Sequence, residues 1–160
     1  MNVQLFRIDD RLIHGQVVLG WAKFLCSKCV ILCDNEVAEN DWEGELYLSC
    51  VPANLNAKIL NIDETIRLLK NGITEPDKTI VLVKSPAVLL DIINDGYSPD
   101  KVNIGGLHYG ETRKKYLPYL FLSDKEITEL QSCVEKGVNL YCQDVPNAKI
   151  YQLSEVISSS

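Results

Sequence analysis

Apolar residues recur along this chain in two patterns: short unbroken runs, and residues spaced three and four apart. The run VQLFRI (3–8) predicts a strand. Val18, Trp21, Ala22 and Leu25 then fall at i, i+3, i+4 and i+7, one face of a helix. CVILC (29–33) predicts a second strand, with Asp34 and Asn35 as N-caps for a helix through about Ser49. AKILNI (57–62) is a third strand, after which Asp63 is expected to cap a helix bearing Ile66 and Leu69 and closed by Asn71-Gly72. TIVLVK (79–84) is a nearly all-apolar fourth strand. Ser85-Pro86 supplies a cap and a first-turn proline for AVLLDIIND, which Gly96 ends. KVNIGG (101–106) and YLFLS (119–123) predict strands five and six. Ser123 and Glu126 have capping-box spacing ahead of Ile127, Leu130 and Val134; Gly137 ends that helix, and VNLYCQ (138–143) is the seventh strand. The tail from Ser154 is short enough either to add a helical turn or to fray.

Strands alternating with helices of about ten residues imply βαβ crossovers and a mostly parallel sheet. Runs as apolar as VILC and IVLV suit strands covered on both faces. The expected fold class is α/β, a single three-layer domain over 1–160, with about six or seven strands between helices on both faces. In such folds ligands bind beyond the carboxyl ends of the strands, near a switch in strand order.

Composition narrows the function. The chain has 160 residues, enough for one well-cored domain and few for two. Acidic residues outnumber basic ones 22 to 16 and no basic block occurs, so no nucleic-acid partner is expected. No apolar run approaches the ~20 residues of a membrane span. MNVQLFRIDD lacks the basic start and long apolar core of a signal peptide, which points to the cytoplasm. Cys26, Cys29 and Cys33 lie close together but without a fourth cysteine or a nearby histidine, so structural-zinc spacing is absent. With Cys50, Cys133 and Cys142 they are expected to be reduced and mostly structural.

The chemistry concentrates in FRIDDRLIHGQVV (6–18), where the first strand meets its helix. A helix start offers unpaired N–H groups and a positive dipole end to an anion, and Gly15, without a Cβ, lets one approach the backbone there and at Gln16. Arg11, with Arg7 behind it, supplies forked donors for phosphate oxygens. An imidazole ordinarily titrates near ~6.5, so a histidine at position 14 offers a nucleophilic ring nitrogen at neutral pH. Asp9 or Asp10 can accept from the other nitrogen and fix the tautomer. These parts suit a histidine that accepts a phosphoryl group and holds it for onward transfer. The same residues also read as a solvated salt-bridge network with a helix-capping histidine.

RIDDRLIHGQV, NIGGLHYGETRKKYLPYLFLS and GVNLYCQDVP together resemble the enzyme IIB component of the mannose/sorbose class of the bacterial phosphoenolpyruvate-dependent sugar phosphotransferase system, across essentially the whole chain. DNEVA and VLVKSP sit where that family has similar segments. The resemblance implies that His14 is phosphorylated on Nδ1 by a phosphohistidine of enzyme IIA. It implies that the group passes to a sugar imported by membrane IIC and IID subunits, with Arg11 in the active loop and Arg7, Asp9 and Asp10 as charged supports. It further implies no cofactor or metal in this component, peripheral association with the membrane complex and at most a weak homodimer. The family's usual Gly-Gly-Met is Gly-Gly-Leu here, and cysteines replace aliphatic residues at several core positions.

Other readings remain beside it. A phosphatase or mutase working through phosphohistidine would place Arg directly beside His and use a second histidine, for which His108 alone remains. A non-catalytic regulatory domain of the same fold is the other alternative. Gly105-Gly106 either makes room for the active loop or forms a tight turn needing positive φ, the plainer reading. His108 is a second proton or phosphate handler or a loop residue packed beside Tyr109. Lys84-Ser85 faces the site or simply caps the next helix, and Trp21 belongs to the core.

Overall fold

The computed structural model describes residues 3–72 and 78–158. The first half of the chain runs β1 (Val3–Ile8), a π-helix (Gln16–Trp21) continuing into α1 (Ala22–Leu25), then β2 (Cys29–Cys33), α2 (Asn35–Glu39) and α3 (Asp41–Ser49). It continues through β3 (Asn56–Leu60), α4 (Ile62–Asn71), β4 (Thr79–Val83) and α5 (Pro86–Asn94). The remainder comprises β5 (Lys101–Ile104), β6 (Lys114–Leu117), β7 (Leu120–Leu122), α6 (Asp124–Glu135), β8 (Asn139–Cys142), β9 (Tyr151–Gln152) and α7 (Leu153–Ser158).

Seven strands form one sheet in the order β3-β2-β4-β1-β5-β8-β9, parallel except for the final β8–β9 pair. This is the expected α/β fold, with apolar clusters on both faces of the sheet. Alternation along β1 divides them: Leu5 packs with Val17, Val18 and Trp21, whereas Phe6 and Ile8 pack with Leu89, Ile92 and Leu130. β1 sits at the centre. Its connection leads past β4 to β2, while that of β5 leads the other way to β8. The carboxyl ends of β1 and β5 therefore flank a switch point, where a parallel sheet opens a crevice.

Several elements depart from expectation. YLFLS does not join the main sheet; Leu120–Leu122 pairs antiparallel with Lys114–Leu117 in a separate two-stranded ribbon. The short β9 supplies the seventh strand instead. The helix expected through Ser49 breaks at Asn40, whose extended backbone and side-chain bond to the Glu43 N–H start α3 afresh. Asn61, not Asp63, caps α4, because its side chain and that of Glu64 form a reciprocal capping box. The capping box of Ser123 with Glu126, the Ser85 cap and the Pro86 start form as the sequence predicts.

No disulfide joins the six cysteines. Cys29, Cys33, Cys133 and Cys142 are buried, whereas Cys26 and Cys50 are exposed. Burial pushes the thiols of Cys33 and Cys133 up to about 11 and that of Cys142 up to about 12, which suppresses thiolate chemistry there. Among the described residues no helix is long and apolar enough to cross a membrane.

Candidate functional site

The loop after β1 is built as an extension of the sheet. The Asp9 N–H donates to the Val83 carbonyl and that of Asp10 to the Gly106 carbonyl, each at 2.9 Å, so both aspartates are pinned between neighbouring strands. Leu12 then adopts a left-handed conformation, φ 58°, and its N–H returns to the Asp9 carbonyl at 3.1 Å. Leu12 and Ile13 are buried in the cluster under the π-helix, which anchors the loop and leaves His14 at the mouth of that helix. Charged residues stand at this joint because two apolar residues hold it down.

Asp9 is the hub. Its side chain is wholly buried, and its two oxygens meet donors from four residues. Arg7 Nη2 lies at 3.0 Å, Arg11 Nε at 2.9 Å, Arg11 Nη2 at 2.8 Å, the Arg11 N–H at 3.0 Å and the Gly106 N–H at 3.3 Å. His14 Nε2 completes the set at 3.2 Å from Oδ2. Burial alone raises the Asp9 carboxyl; hydrogen bonds from His14 and Arg11 and the charges of Arg7 and Arg11 outweigh it and hold the group well below the usual carboxylate range.

Arg7 is buried, its guanidinium carbon 5.5 Å from the Trp21 ring centroid. It also donates to Asn103 Oδ1, to the Gln143 carbonyl at 2.9 Å and to the Asp144 carbonyl at 2.8 Å. Trp21 is core, as expected, and its indole N–H adds a 3.1 Å bond to the same Asp144 carbonyl. Arg11, by contrast, keeps 27% of its side chain exposed and faces Asp144 Oδ1 at 3.6 Å. One arginine is therefore structural and the other meets solvent.

His14 has both ring nitrogens engaged in a way that specifies one tautomer. A carboxylate only accepts, so Nε2 carries the proton that meets Asp9. The Gln16 N–H points at Nδ1 from 3.2 Å, so Nδ1 carries the lone pair. The ring remains partly exposed, Gly15 is exposed, and a Cβ built at Gly15 would meet nothing within 4 Å. His14, Arg11 and Asp9 line none of the five surface cavities described. The site presents a partly exposed nucleophilic nitrogen with a partly exposed cation beside it.

Two expectations change. Asp10 does not support His14: its carboxylate takes the Nδ1 of His108 and, at 3.2 Å, Arg113 Nη1. The backbone sends its side chain toward the β5–β6 loop while Asp9 turns inward. Nor is Gly105-Gly106 a positive-φ turn; the glycines with positive φ are Gly72, Gly96 and Gly137. A Cβ at Gly105 would stand 2.3 Å from the Arg7 guanidinium, and one at Gly106 2.7 Å from Arg11 Nη2. The pair is glycine so that both arginines fit. Ser85 caps its helix, while Lys84 binds Asp34 at 3.3 Å and Glu36 at 3.2 Å. Asn103, Gln143, Asp144 and Arg113 were not foreseen. Asn103 lies within β5 beside β1, Gln143 and Asp144 follow β8 one strand further out, and Arg113 precedes β6 of the separate ribbon, placements that spacing alone does not reveal.

The sequence pattern described as PTS system sorbose subfamily IIB component, where PTS denotes the phosphotransferase system, matches residues 3–160. The chain is 28% identical over 156 residues to N-acetylgalactosamine-specific phosphotransferase enzyme IIB component 1 of Escherichia coli (strain K12), covering 96% of this chain and 98% of that one. It is 25% identical to the mannose-specific EIIAB component of the same strain, covering 99% of this chain and 49% of the longer relative. The IIB domain of the sorbose permease from Klebsiella pneumoniae shares the fold, with a TM-score of 0.90 at 23% identity over 100% of this chain and 98% of that one. A switch-point histidine on a IIB fold and a sequence match over nearly every residue lead to one assignment: the chain belongs to the sorbose-subfamily IIB components of the phosphotransferase system, a phosphotransferase family.

Proposed function

We propose that His14 is the phosphoryl carrier: its Nδ1 accepts the group from a phosphohistidine on enzyme IIA and passes it to a sugar held by membrane IIC and IID subunits. The observation that carries this reading is the pair of hydrogen bonds on the imidazole, Nε2–H to Asp9 and Gln16 N–H to Nδ1. The ring is held in the tautomer whose Nδ1 can attack phosphorus. As the new P–Nδ1 bond forms and the donor's P–N bond breaks, the ring gains positive character, which buried Asp9 offsets through Nε2–H. Arg11 lies beside the ring on the same carboxylate oxygen and offers a forked donor to the phosphoryl oxygens. The Gln16 N–H, released from Nδ1, and the open approach at Gly15 provide further room and donors for them. Arg7 keeps Asp9 in place. The mannose-specific relative, whose name joins A and B components in one chain, supports IIA as the donor.

The test is phosphotransfer from phosphorylated IIA. The wild type is expected to take up one acid-labile, base-stable phosphate, with ³¹P–¹⁵N correlations placing it on Nδ1 of His14, and His14→Ala is expected to take up none. Full labelling of His14→Ala sinks the proposal. Turnover of a simple phosphate ester by the isolated chain would favour a phosphatase instead.

A further inference from the structure

Adjacent aspartates at the end of β1 hold two parallel sets of side chains. Asp9 holds His14 and Arg11, and Asp10 holds His108 and Arg113. The second set is firmly built. The His108 N–H donates to Asp10 Oδ2 at 2.9 Å while its ring Nδ1 meets Oδ1. Arg113 Nη1 donates to Asp10 Oδ2 at 3.2 Å and to the His108 carbonyl at 2.8 Å, and Glu126 grips the same guanidinium through Nε and Nη2 at 2.8 and 2.9 Å. The His108 side chain is nevertheless 60% exposed. Asp10 accepts from Nδ1, so in the neutral ring Nε2 holds the lone pair, and no group among the described residues bonds it. This tautomer is the reverse of that at His14.

Delivery to a sugar raises a need that loading does not. Transfer from one phosphohistidine to another involves no hydroxyl proton, whereas a sugar hydroxyl must lose its proton as it takes the phosphoryl group. Most groups at this edge cannot receive it. His14 Nδ1 carries the phosphoryl group, Asp9 is buried among its donors, and Asp10 is taken up by His108 and Arg113. Asp144 Oδ1 faces Arg11 at 3.6 Å and Arg7 at 3.9 Å. His108 is close by: Gly106, two residues before it, donates to the same Asp9 oxygen as His14 Nε2.

We propose that His108 Nε2 is the base that takes the sugar hydroxyl proton during delivery, with Asp10 as its positioning residue. The proposal rests on the reading of His14 as the carrier. In this step the sugar O–H bond breaks and an O–P bond forms. The P–Nδ1 bond breaks with its electron pair returning to the His14 ring. The proton resides on His108 as an imidazolium beside Asp10 and then passes to water. An exposed base suits an acceptor held by another protein.

The experiment separates the two half-reactions in the full chain. Loading is followed with phosphorylated IIA, and delivery with membranes containing the IIC and IID subunits and whichever of N-acetylgalactosamine, fructose, sorbose or mannose the wild type phosphorylates. His108→Ala and His108→Gln are expected to load within about twofold of the wild type and to deliver roughly 100-fold or more slowly. Glutamine can keep a hydrogen bond to Asp10 without providing a base, so equal loss in both variants separates proton transfer from shape. Added imidazole is expected to restore delivery by His108→Ala in proportion to its concentration. Unchanged delivery, equal slowing of both half-reactions, or a slowed delivery that imidazole leaves unaltered overturns the proposal. A wild type that is never loaded on His14 overturns the carrier reading itself, and this inference with it.

Discussion

Asp9 shows how one residue can serve folding and chemistry at once. Its carboxylate is the counter-charge to a buried arginine and the orienting partner of the reactive imidazole. Asp9→Asn leaves the Arg7 guanidinium buried beside a neutral amide, so it is expected to cost about 3–5 kcal/mol at neutral pH. The sign of the pH dependence follows from the depressed carboxyl. A group held below its ordinary range stabilises the fold fully above that range and loses the contribution as pH falls through it. The gap in Tm between the wild type and Asp9→Asn should therefore be widest near neutrality and narrow below about pH 4. A gap that stays constant down to pH 3 would refute the hub role. The sequence announced the charged cluster through its density in residues 7–11, and it announced His14. It did not distinguish Asp9 from Asp10, because adjacent residues of one type differ only in which way the folded backbone turns them.

Local signals were legible at the level of elements where the physics is local. Ser123 with Glu126, Ser85 with Pro86, and Gly137 each act within one helical turn, and each does what its spacing predicts. The break at Asn40, the cap at Asn61 and the β6–β7 ribbon were hidden, since competing caps lie one or two residues apart and strand partners lie far along the chain. Gly105-Gly106 is the most instructive case. Glycine usually signals a turn, yet here it marks a close approach between the end of β5 and the loop after β1. The two glycines should fail differently. In Gly105→Ala the new methyl meets the guanidinium of buried Arg7, which four partners hold in place, so thermal unfolding should show a loss of about 1–3 kcal/mol or more. In Gly106→Ala it meets the tip of partly exposed Arg11, which can swing aside. Stability should then fall by less than in Gly105→Ala, since Asp9 keeps Arg7, His14 and the Gly106 N–H as partners, while loading of His14 slows roughly ten- to hundredfold as the cation leaves its place. Equal stability losses in the two variants would refute this distinction.

For the molecule as a whole, strand order decides where the chemistry stands. Placing β1 between β4 and β5 brings the ends of β1, β5 and β8 together, and with them Asp9, Gly105-Gly106 and Asp144. Residues more than 130 positions apart thereby share one guanidinium. The alternation of strands and helices made the α/β class legible, but only the sheet order assembles the site. That order leaves His14 partly exposed, outside the five cavities described. A small phosphodonor would find an oriented nucleophile and one partly exposed arginine to hold it. A protein donor brings its own binding surface and supplies the orientation that converts an encounter into near-unimolecular transfer, an advantage that can reach several orders of magnitude. Loading of His14 by phosphorylated IIA should accordingly exceed loading by phosphoramidate, compared as kcat/KM under the same conditions, by at least about a thousandfold. Comparable rates with the two donors would mean that the chain captures small phosphates on its own, and a carrier that depends on docking would no longer describe it.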